Sequence, residues 1–307
     1  MTQTLNAIAF YLFYGFTWLL SKLPLRMLFT LSDMLRPILY HLIQYRRKVV
    51  HNNLLNSFPD KPLDEIKRIE RAYYKHLCDM VVEVIYIMHA SAEKAKRMSH
   101  FRNIDLLNKY YEQGHSVILA AGHLGNWEVF NTLSLLLKHK VVAAYKPTSN
   151  KRFEQFINNN RKRFGCIPVS MYDIARTAID MHNRHDPFLL VLFADQTPSG
   201  GEIRHWMSFL HQDTPVFLGT EKIARKINEP VLFGRVYKPR RGYYEVEFEV
   251  ISETPKNEPP YDITHRHVQA LERIINEQPE LWLWSHRRWK YTRADAPKPH
   301  GNQHNHE

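Results

Sequence analysis

The heptapeptide at positions 122–128, with the sequence Gly-His-Leu-Gly-Asn-Trp-Glu, contains a histidine and a carboxylate that could support acid–base chemistry. Residues five apart on a continuous α-helix lie about 140° apart around its axis, so His123 and Glu128 can meet only if a turn precedes the helix. Gly122 and Gly125 provide the backbone freedom for such a turn. A carboxylate that holds one ring nitrogen raises the basicity of the other, and we therefore predict that His123 and Glu128 form a general base.

The heptapeptide contains no Ser or Cys, which favours activation of a substrate hydroxyl over attack by an enzyme nucleophile. An isolated histidine and glutamate at this spacing are more often a loop residue and an unrelated helix start. The functional interpretation therefore depends on the elements around the heptapeptide.

Segments typical of strands and helices alternate along most of the chain. The predicted strands are 116–121, 141–145, 166–170, 188–194, 231–237 and 243–251, and the predicted helices include 63–98, 126–139, 151–164, 173–183, 215–227 and 265–276. This alternation predicts an α/β fold with a mixed, mostly parallel sheet covered by helices. Open α/β folds keep their chemistry at the carboxyl ends of the strands, and His123 follows the strand 116–121.

A second polar pair, Asp195 and Gln196, directly follows the apolar strand 188–194. Charged and amide groups at a strand's carboxyl end suit substrate positioning, although a plain turn explains the pair equally well.

Arg161 and Arg163 end a predicted helix. Their guanidinium groups suit bidentate phosphate binding, and the alternative is a solvated basic helix end that interacts with the helix dipole.

The segment 282–290 interleaves tryptophans with cations, among them Arg287 and Arg288. Such a segment could stack nucleic-acid bases, bind a phosphate or lie at a membrane interface. Aromatic side chains packed in the core, with solvated arginines between them, are an equally good interpretation.

The net charge and the cysteine content indicate which classes of partner and which compartment suit the protein. The 307 residues carry a formal net charge of +11, which calls for an anionic partner such as a membrane, an acidic protein, a phosphorylated substrate or a nucleic acid. The two cysteines, Cys78 and Cys166, do not form a metal-binding spacing, so we expect no disulfide framework, no metal and a reducing compartment.

The N-terminal residues 1–44 are predicted to attach the protein to a membrane. Residues 5–20 carry no charge, and this length is at the short end for a spanning helix, so spanning and interfacial arrangements both remain open. Basic residues follow it, which predicts that the bulk of the chain lies on the cytoplasmic side. We expect one domain at 45–295 and a disordered polar tail at 296–307.

An ordered set of motifs resembles the late, or secondary, acyltransferases of lipid A biosynthesis, within the lysophospholipid acyltransferase superfamily. The motifs are Tyr45-Arg46-Arg47, Asn52-Asn53-Leu54, Phe58-Pro59, the heptapeptide 122–128, Tyr145-Lys146-Pro147, Arg161-Lys162-Arg163, Asp195-Gln196 and the segment 284–290. The chain departs from the family where Lys146 replaces the usual arginine. The polar tail has no counterpart in the family pattern.

The resemblance implies a glycerol-3-phosphate acyltransferase-like fold and an enzyme of the inner membrane whose catalytic domain faces the cytoplasm. It implies transfer of an acyl chain from acyl carrier protein, or from coenzyme A, to a hydroxyl of a lipid A precursor, without a further cofactor. His123 and Glu128 match the catalytic motif, and Arg161 and Arg163 match the residues that bind the substrate phosphate. Backbone N–H groups near Gly125 and Asn126 are expected to stabilise the oxyanion.

Two alternatives remain at this stage. The acceptor could be a lysophospholipid or an aminoacyl lipid, because these would use the same pair of catalytic residues. A membrane-anchored nucleic-acid-binding protein would also fit the charge, but no recognised nucleic-acid motif supports it, and we expect no nucleic-acid partner.

Overall fold

The apolar segments predicted to be strands form the centre of the structure. The computed structural model describes residues 2–294, and side chains from residue 7 onward, so the tail predicted at 296–307 lies outside the described residues. The α-helices are α1 Thr2–Leu20, α2 Leu25–Pro37, α3 Arg47–Ser57, α4 Leu63–His89, α5 Ala92–Lys96, α6 Ile104–Glu112, α7 Lys151–Arg163, α8 Ile174–Asn183, α9 Gly219–Ile227 and α10 Asp262–Glu277.

The strands are β1 Ser99–Phe101, β2 Val117–Ala121, β3 Lys140–Tyr145, β4 Ile167–Ser170, β5 Phe188–Phe193, β6 Trp206–Phe209, β7 Gln212–Pro215, β8 Val231–Arg240 and β9 Tyr243–Ser252. Short 3₁₀ helices span Trp127–Leu135, Gly200–Glu202, Pro255–Asn257 and Pro279–Leu281, and a π-helical turn spans Ile38–Leu42.

Seven strands form one sheet in the order β1-β9-β8-β2-β5-β3-β4, and β6 and β7 form a separate hairpin. Every neighbouring pair in the large sheet is parallel except β8 and β9, which are antiparallel. The prediction of a mixed, mostly parallel sheet is therefore confirmed. All residues of β2 and most of β5 are buried, as expected for central strands of a sheet that helices cover.

The register of β2 and β5 determines which polar residues meet at the carboxyl edge of the sheet. Ala121, the last residue of β2, is paired with Phe193, the last residue of β5. His123 and Asp195 each lie two residues beyond these ends. Parallel pairing therefore brings together two side chains that are 72 residues apart in sequence.

The helix predicted at 126–139 is instead a shorter 3₁₀ helix, Trp127–Leu135. Its N-cap is Asn126, whose side-chain oxygen accepts the backbone N–H of Glu128 at 3.2 Å. This capping contact satisfies one of the free N–H groups at the helix start.

The N-terminal helix α1 packs against α4 and α7. The ring of Phe10 lies 6.0 Å from that of Phe156, the ring of Phe13 lies 5.6 Å from that of Phe153, and the hydroxyl of Thr17 contacts the imidazole of His89. Within residues 2–294, none of the helices combines the length and the apolar character needed to cross a membrane.

Candidate active site

His123 and Asp195 form the closest acid–base contact at the carboxyl edge of the sheet. The Nδ1 atom of His123 lies 2.6 Å from Oδ1 of Asp195, and the backbone N–H of His123 donates to Oδ2 at 2.8 Å. The indole N–H of Trp282 donates to the same Oδ2 at 2.9 Å. A carboxylate can only accept hydrogen bonds, so Nδ1 carries the proton and Nε2 is left as the basic nitrogen.

Asp195 is ionised in this arrangement although it is almost fully buried. Burial by itself raises the pKa of Asp195, but the neighbouring imidazole and the three hydrogen bonds outweigh it and lower the pKa to about 2. The side chain of His123 is only partly exposed and packs edge-on against the ring of Trp127 at 4.9 Å. The imidazole is thus held in one tautomer and one orientation.

Glu128 does not hold His123, which corrects the predicted pairing. Its Oε1 lies 3.2 Å from Nη2 of Arg161, and its Oε2 accepts the side-chain N–H of Asn131 at 2.7 Å. The physical reason is the parallel pairing of β2 and β5, which brings the Asp195 carboxylate to Nδ1. The charge of Arg161 is correspondingly balanced by Glu128.

Gly125 and Asn126, predicted to lie near the oxyanion, both take part in contacts that hold the turn. The N–H of Gly125 donates to the carbonyl of Leu281 at 3.0 Å, so it is not free to meet an oxyanion. Asn126 is fully buried, and its amide donates to Glu83 at 3.3 Å. Gly125 therefore supports the turn through its backbone N–H, and Asn126 supports it through its side-chain amide. The backbone N–H of Asn126 stays a predicted oxyanion donor.

Gly125 is required for this turn by its conformation and by its surroundings. Its φ is +56°, and a Cβ at this position would lie 2.7 Å from the ring of Tyr244. The hydroxyl of Tyr244 donates to Glu83 at 2.6 Å, which links the turn to α4. Burial raises the pKa of Glu83, and this favours its neutral form in the network.

The other predicted arginines do not line the cavity beside His123. Nη2 of Arg163 donates to the carbonyl of Ile87 at 3.0 Å and so ties the end of α7 to α4. Arg287 is exposed. Arg288 is buried, and its Nη2 donates to the carbonyl of Pro215 at 2.7 Å. Burial lowers the pKa of Arg288 to about 10.

The tryptophan-rich segment 282–290 packs largely inside the protein. Trp282 and Trp284 are fully buried, as the core interpretation predicts. Motif residues near the N-terminus hold this segment, because Arg46 donates to the carbonyl of Ser285 and Asn53 donates to the carbonyl of Trp284. Local sequence patterns could not predict these contacts, because the partners lie more than 200 residues apart in the chain.

Gln196 lies beside the basic nitrogen of His123. Its Nε2 atom is 3.4 Å from Nε2 of His123. The next residue, Thr197, is anchored by His286, whose Nε2 accepts the backbone N–H of Thr197 at 3.1 Å. Burial lowers the pKa of His286 to about 4, so its imidazole is neutral and can accept this hydrogen bond.

A cavity of about 700 Å³ opens beside His123. Its lining includes the polar and charged residues Glu128, Lys146, Arg161 and Gln196. Its apolar lining includes Phe130, Val141, Ile174, Val191, Phe193, Phe217 and Ile223. The volume and the mixed lining suit a ligand that has both polar and apolar parts.

The comparison with protein families was decisive. The family model of the bacterial lipid A biosynthesis acyltransferases matches residues 2–291. The chain belongs to this family. A comparison with individually curated proteins gave no match. The predicted family is thus confirmed, and two motif residues of this acyltransferase, His123 and Asp195, meet beyond the paired ends of β2 and β5.

The acyltransferase also contains site residues that the sequence did not reveal. Trp282 was considered only as one of several interleaved aromatics, yet its N–H donates to Asp195. Glu83 was not singled out, because a glutamate in the middle of a long helix gives no sign that it is buried. Its contact with Asn126 depends on the packing of α4 behind the turn.

Proposed function

We propose that the protein transfers a fatty acyl chain from a thioester of acyl carrier protein to a hydroxyl of a lipid A precursor. The observation that carries this proposal is the His123–Asp195 pair, with its basic nitrogen beside Gln196 at the wall of a largely apolar cavity. Membership of the lipid A acyltransferase family supports the substrate class.

His123 acts as the general base. Its Nε2 takes the proton of the acceptor hydroxyl while that oxygen attacks the thioester carbonyl carbon. The carbon–sulfur bond then breaks, and the imidazolium returns the proton to the leaving thiolate. Asp195 keeps the proton of the resting imidazole on Nδ1 and stabilises the imidazolium that forms.

Glu128 and Arg161 are proposed to shape the acceptor side of the cavity. Both line it, and their ion pair is about four-fifths shielded from solvent. An acceptor phosphate near this pair would compete with Glu128 for the guanidinium of Arg161. Lys146 adds a second cation to the wall, in the position where the family usually has an arginine.

The membrane is proposed to be bound by an N-terminal apolar surface, consisting of the exposed side chains Ile8, Tyr11, Leu12, Phe16, Leu19, Met27, Leu31 and Met34 of α1 and α2. Exposed Lys22, Arg26 and Arg36 lie among these residues in the chain and suit anionic headgroups. The arrangement favours a protein that lies on the cytoplasmic face of the inner membrane.

The net charge of +11 also suits the acidic carrier protein.

A lysophospholipid or an aminoacyl lipid remains the alternative acceptor, because the same base and cavity would serve either. Nucleic-acid binding is disfavoured by the burial of Trp282, Trp284 and Arg288, which cannot present their faces to bases.

Mass spectrometry of lipids tests the proposal. In the host, deletion of the gene should remove one acyl chain from lipid A, and the wild-type gene should restore it. Purified protein with acyl carrier protein and with coenzyme A thioesters would identify the donor. A deletion that leaves lipid A intact and removes a chain from another lipid would overturn the proposed acceptor.

A further inference from the structure

We propose that the side-chain amide of Gln196 donates a hydrogen bond to the oxyanion that forms when the acyl thioester is attacked. This assignment rests on the proposed acyl-transfer function and adds a catalytic residue to it. It replaces the backbone N–H of Gly125, which the carbonyl of Leu281 already occupies.

Gln196 has the required position. It lines the cavity, is half-buried and has its Nε2 atom 3.4 Å from Nε2 of His123. The attacking oxygen must approach that imidazole nitrogen to lose its proton. The attacking oxygen bonds to the thioester carbonyl carbon, and the carbonyl oxygen is attached to that same carbon. The carbonyl oxygen therefore comes within reach of the Gln196 amide beside the imidazole.

The backbone on both sides of Gln196 is fixed before substrate binds. Asp195 is held by His123 and Trp282, and the hydroxyl of Thr197 donates to the carbonyl of Arg288 at 2.6 Å. An oxyanion donor is effective when it needs no reorganisation during the reaction. The anchored neighbours hold the backbone of Gln196 in place, so only its side-chain amide has to change acceptor.

Several other N–H groups of the turn already have acceptors. The N–H of His123 donates to Asp195, that of Glu128 donates to Asn126, and that of Val129 donates to the carbonyl of Asn126. These contacts build the turn and hold the base. Gln196, just beyond the end of β5, offers an oxyanion donor from another element.

Proton transfer itself directs the amide towards the oxyanion. In the resting state the unprotonated Nε2 of His123 can accept a hydrogen bond from the amide of Gln196. When Nε2 takes the hydroxyl proton, two N–H groups face each other and the amide loses its acceptor. The thioester oxygen gains its negative charge in the same step, so the new hydrogen bond is strongest in the transition state.

Kinetics of two variants test this assignment. Gln196→Glu retains the size of the side chain but replaces the amide donor with a carboxylate, and Gln196→Met removes the donor without adding a charge. We expect kcat to fall by about 10²–10³-fold in both variants, the range for loss of one oxyanion donor, with KM unchanged. Melting temperatures should stay at the wild-type value. Gln113→Glu, at the exposed residue that ends α6, is the matched control and should keep wild-type kinetics.

The assay separates failure of this assignment from failure of the proposed function. Acyl carrier protein thioester and lipid A precursor are the substrates, and wild-type protein is measured beside the variants. A wild-type protein that transfers no acyl chain would overturn the proposed function and this assignment with it. If the wild-type protein is active, variants that keep the wild-type kcat, or that change only KM, would overturn the assignment of Gln196 but not the proposed function.

Discussion

A carboxylate placed at Nδ1 of an imidazole decides which nitrogen of the ring is basic. In this acyltransferase that carboxylate belongs to Asp195, at 2.6 Å, and Glu128 is engaged with Arg161. The two acids therefore have separate partners. Asp195 contacts the imidazole of His123, whereas Glu128 lies in the wall of the cavity.

Replacing Asp195 with asparagine should slow turnover without removing the histidine. The amide of asparagine can donate to Nδ1, which favours the tautomer whose Nε2 carries the proton and cannot act as a base. We expect kcat to fall by about 10²–10⁴-fold, measured by acyl transfer to the lipid A precursor. Asp180→Asn, on the exposed side of α8, is the control. Wild-type turnover in Asp195→Asn would show that Asp195 does not orient the base.

The low pKa of Asp195 also makes stability depend on pH. Its pKa is about 2 in the folded protein, against an ordinary value of 3.8, so the unfolded chain takes up this proton first as the pH falls. The stabilisation is fully present above about pH 4 and is lost between about pH 4 and pH 2. It amounts to about 2 kcal/mol in the free energy of unfolding.

Urea unfolding at several pH values measures this contribution. The loss of stability between pH 5 and pH 2 should be smaller for Asp195→Asn than for wild type, since the variant lacks this titrating group. Equal losses in both proteins would contradict the ionised state of the buried Asp195.

The residues at this site were only partly predictable. His123, Asp195 and Gln196 were found because each follows an apolar strand, a local pattern that the sequence shows directly. The partner of His123 was predicted wrongly, because adjacency of β2 and β5 depends on strand order, which no local pattern encodes. Arg163 was predicted to bind phosphate, although its guanidinium bonds to α4.

At the scale of elements, the turn between β2 and the 3₁₀ helix depends on Gly125. Alanine there would have to adopt a φ of +56° with its Cβ 2.7 Å from the buried ring of Tyr244. We expect Gly125→Ala to reduce the free energy of unfolding by about 1–3 kcal/mol and to lower kcat, because the turn also carries His123. Chemical denaturation and the transfer assay measure these effects.

Gly201→Ala is the matched control for this prediction. Gly201 has no atom within 4 Å of an added Cβ, and its φ is not positive. This variant should therefore keep the stability and turnover of wild type. A Gly125→Ala protein that behaved in the same way would show that the turn tolerates a side chain.

The elements themselves were predicted well where periodicity is strong. The strands predicted at 116–121 and 188–194 correspond to β2 and β5, and those predicted at 231–237 and 243–251 correspond to β8 and β9. The helix at 126–139 proved shorter and of 3₁₀ type. Its N-cap at Asn126 is bound to the buried Glu83, and this tertiary contact leaves no local signal.

At the scale of the whole molecule, the N-terminal apolar surface should control membrane binding. Leu12 and Leu19 are 69% and 63% exposed on α1, and full burial of each leucine would contribute about 1.5–3 kcal/mol. Replacing both with aspartate should weaken binding to vesicles of anionic lipid at least about tenfold, measured by flotation.

Leu63→Asp is the control for charge and size, because Leu63 is 50% exposed at the start of α4, outside this surface. It should float with the vesicles as wild type does. Equal flotation of the double variant and wild type would contradict the role of α1. The sequence indicated this surface through its uncharged run, but not the packing of its other side on α7.

His123 is proposed to be the base of an acyl transfer to a lipid A precursor. The most direct test measures single-turnover transfer of a labelled acyl chain from acyl carrier protein, in wild type and His123→Ala. We predict a fall of about 10²–10⁴-fold in His123→Ala, and wild-type transfer in His100→Ala, which removes an exposed histidine of β1. Transfer by His123→Ala at the wild-type rate would show that His123 is not the base.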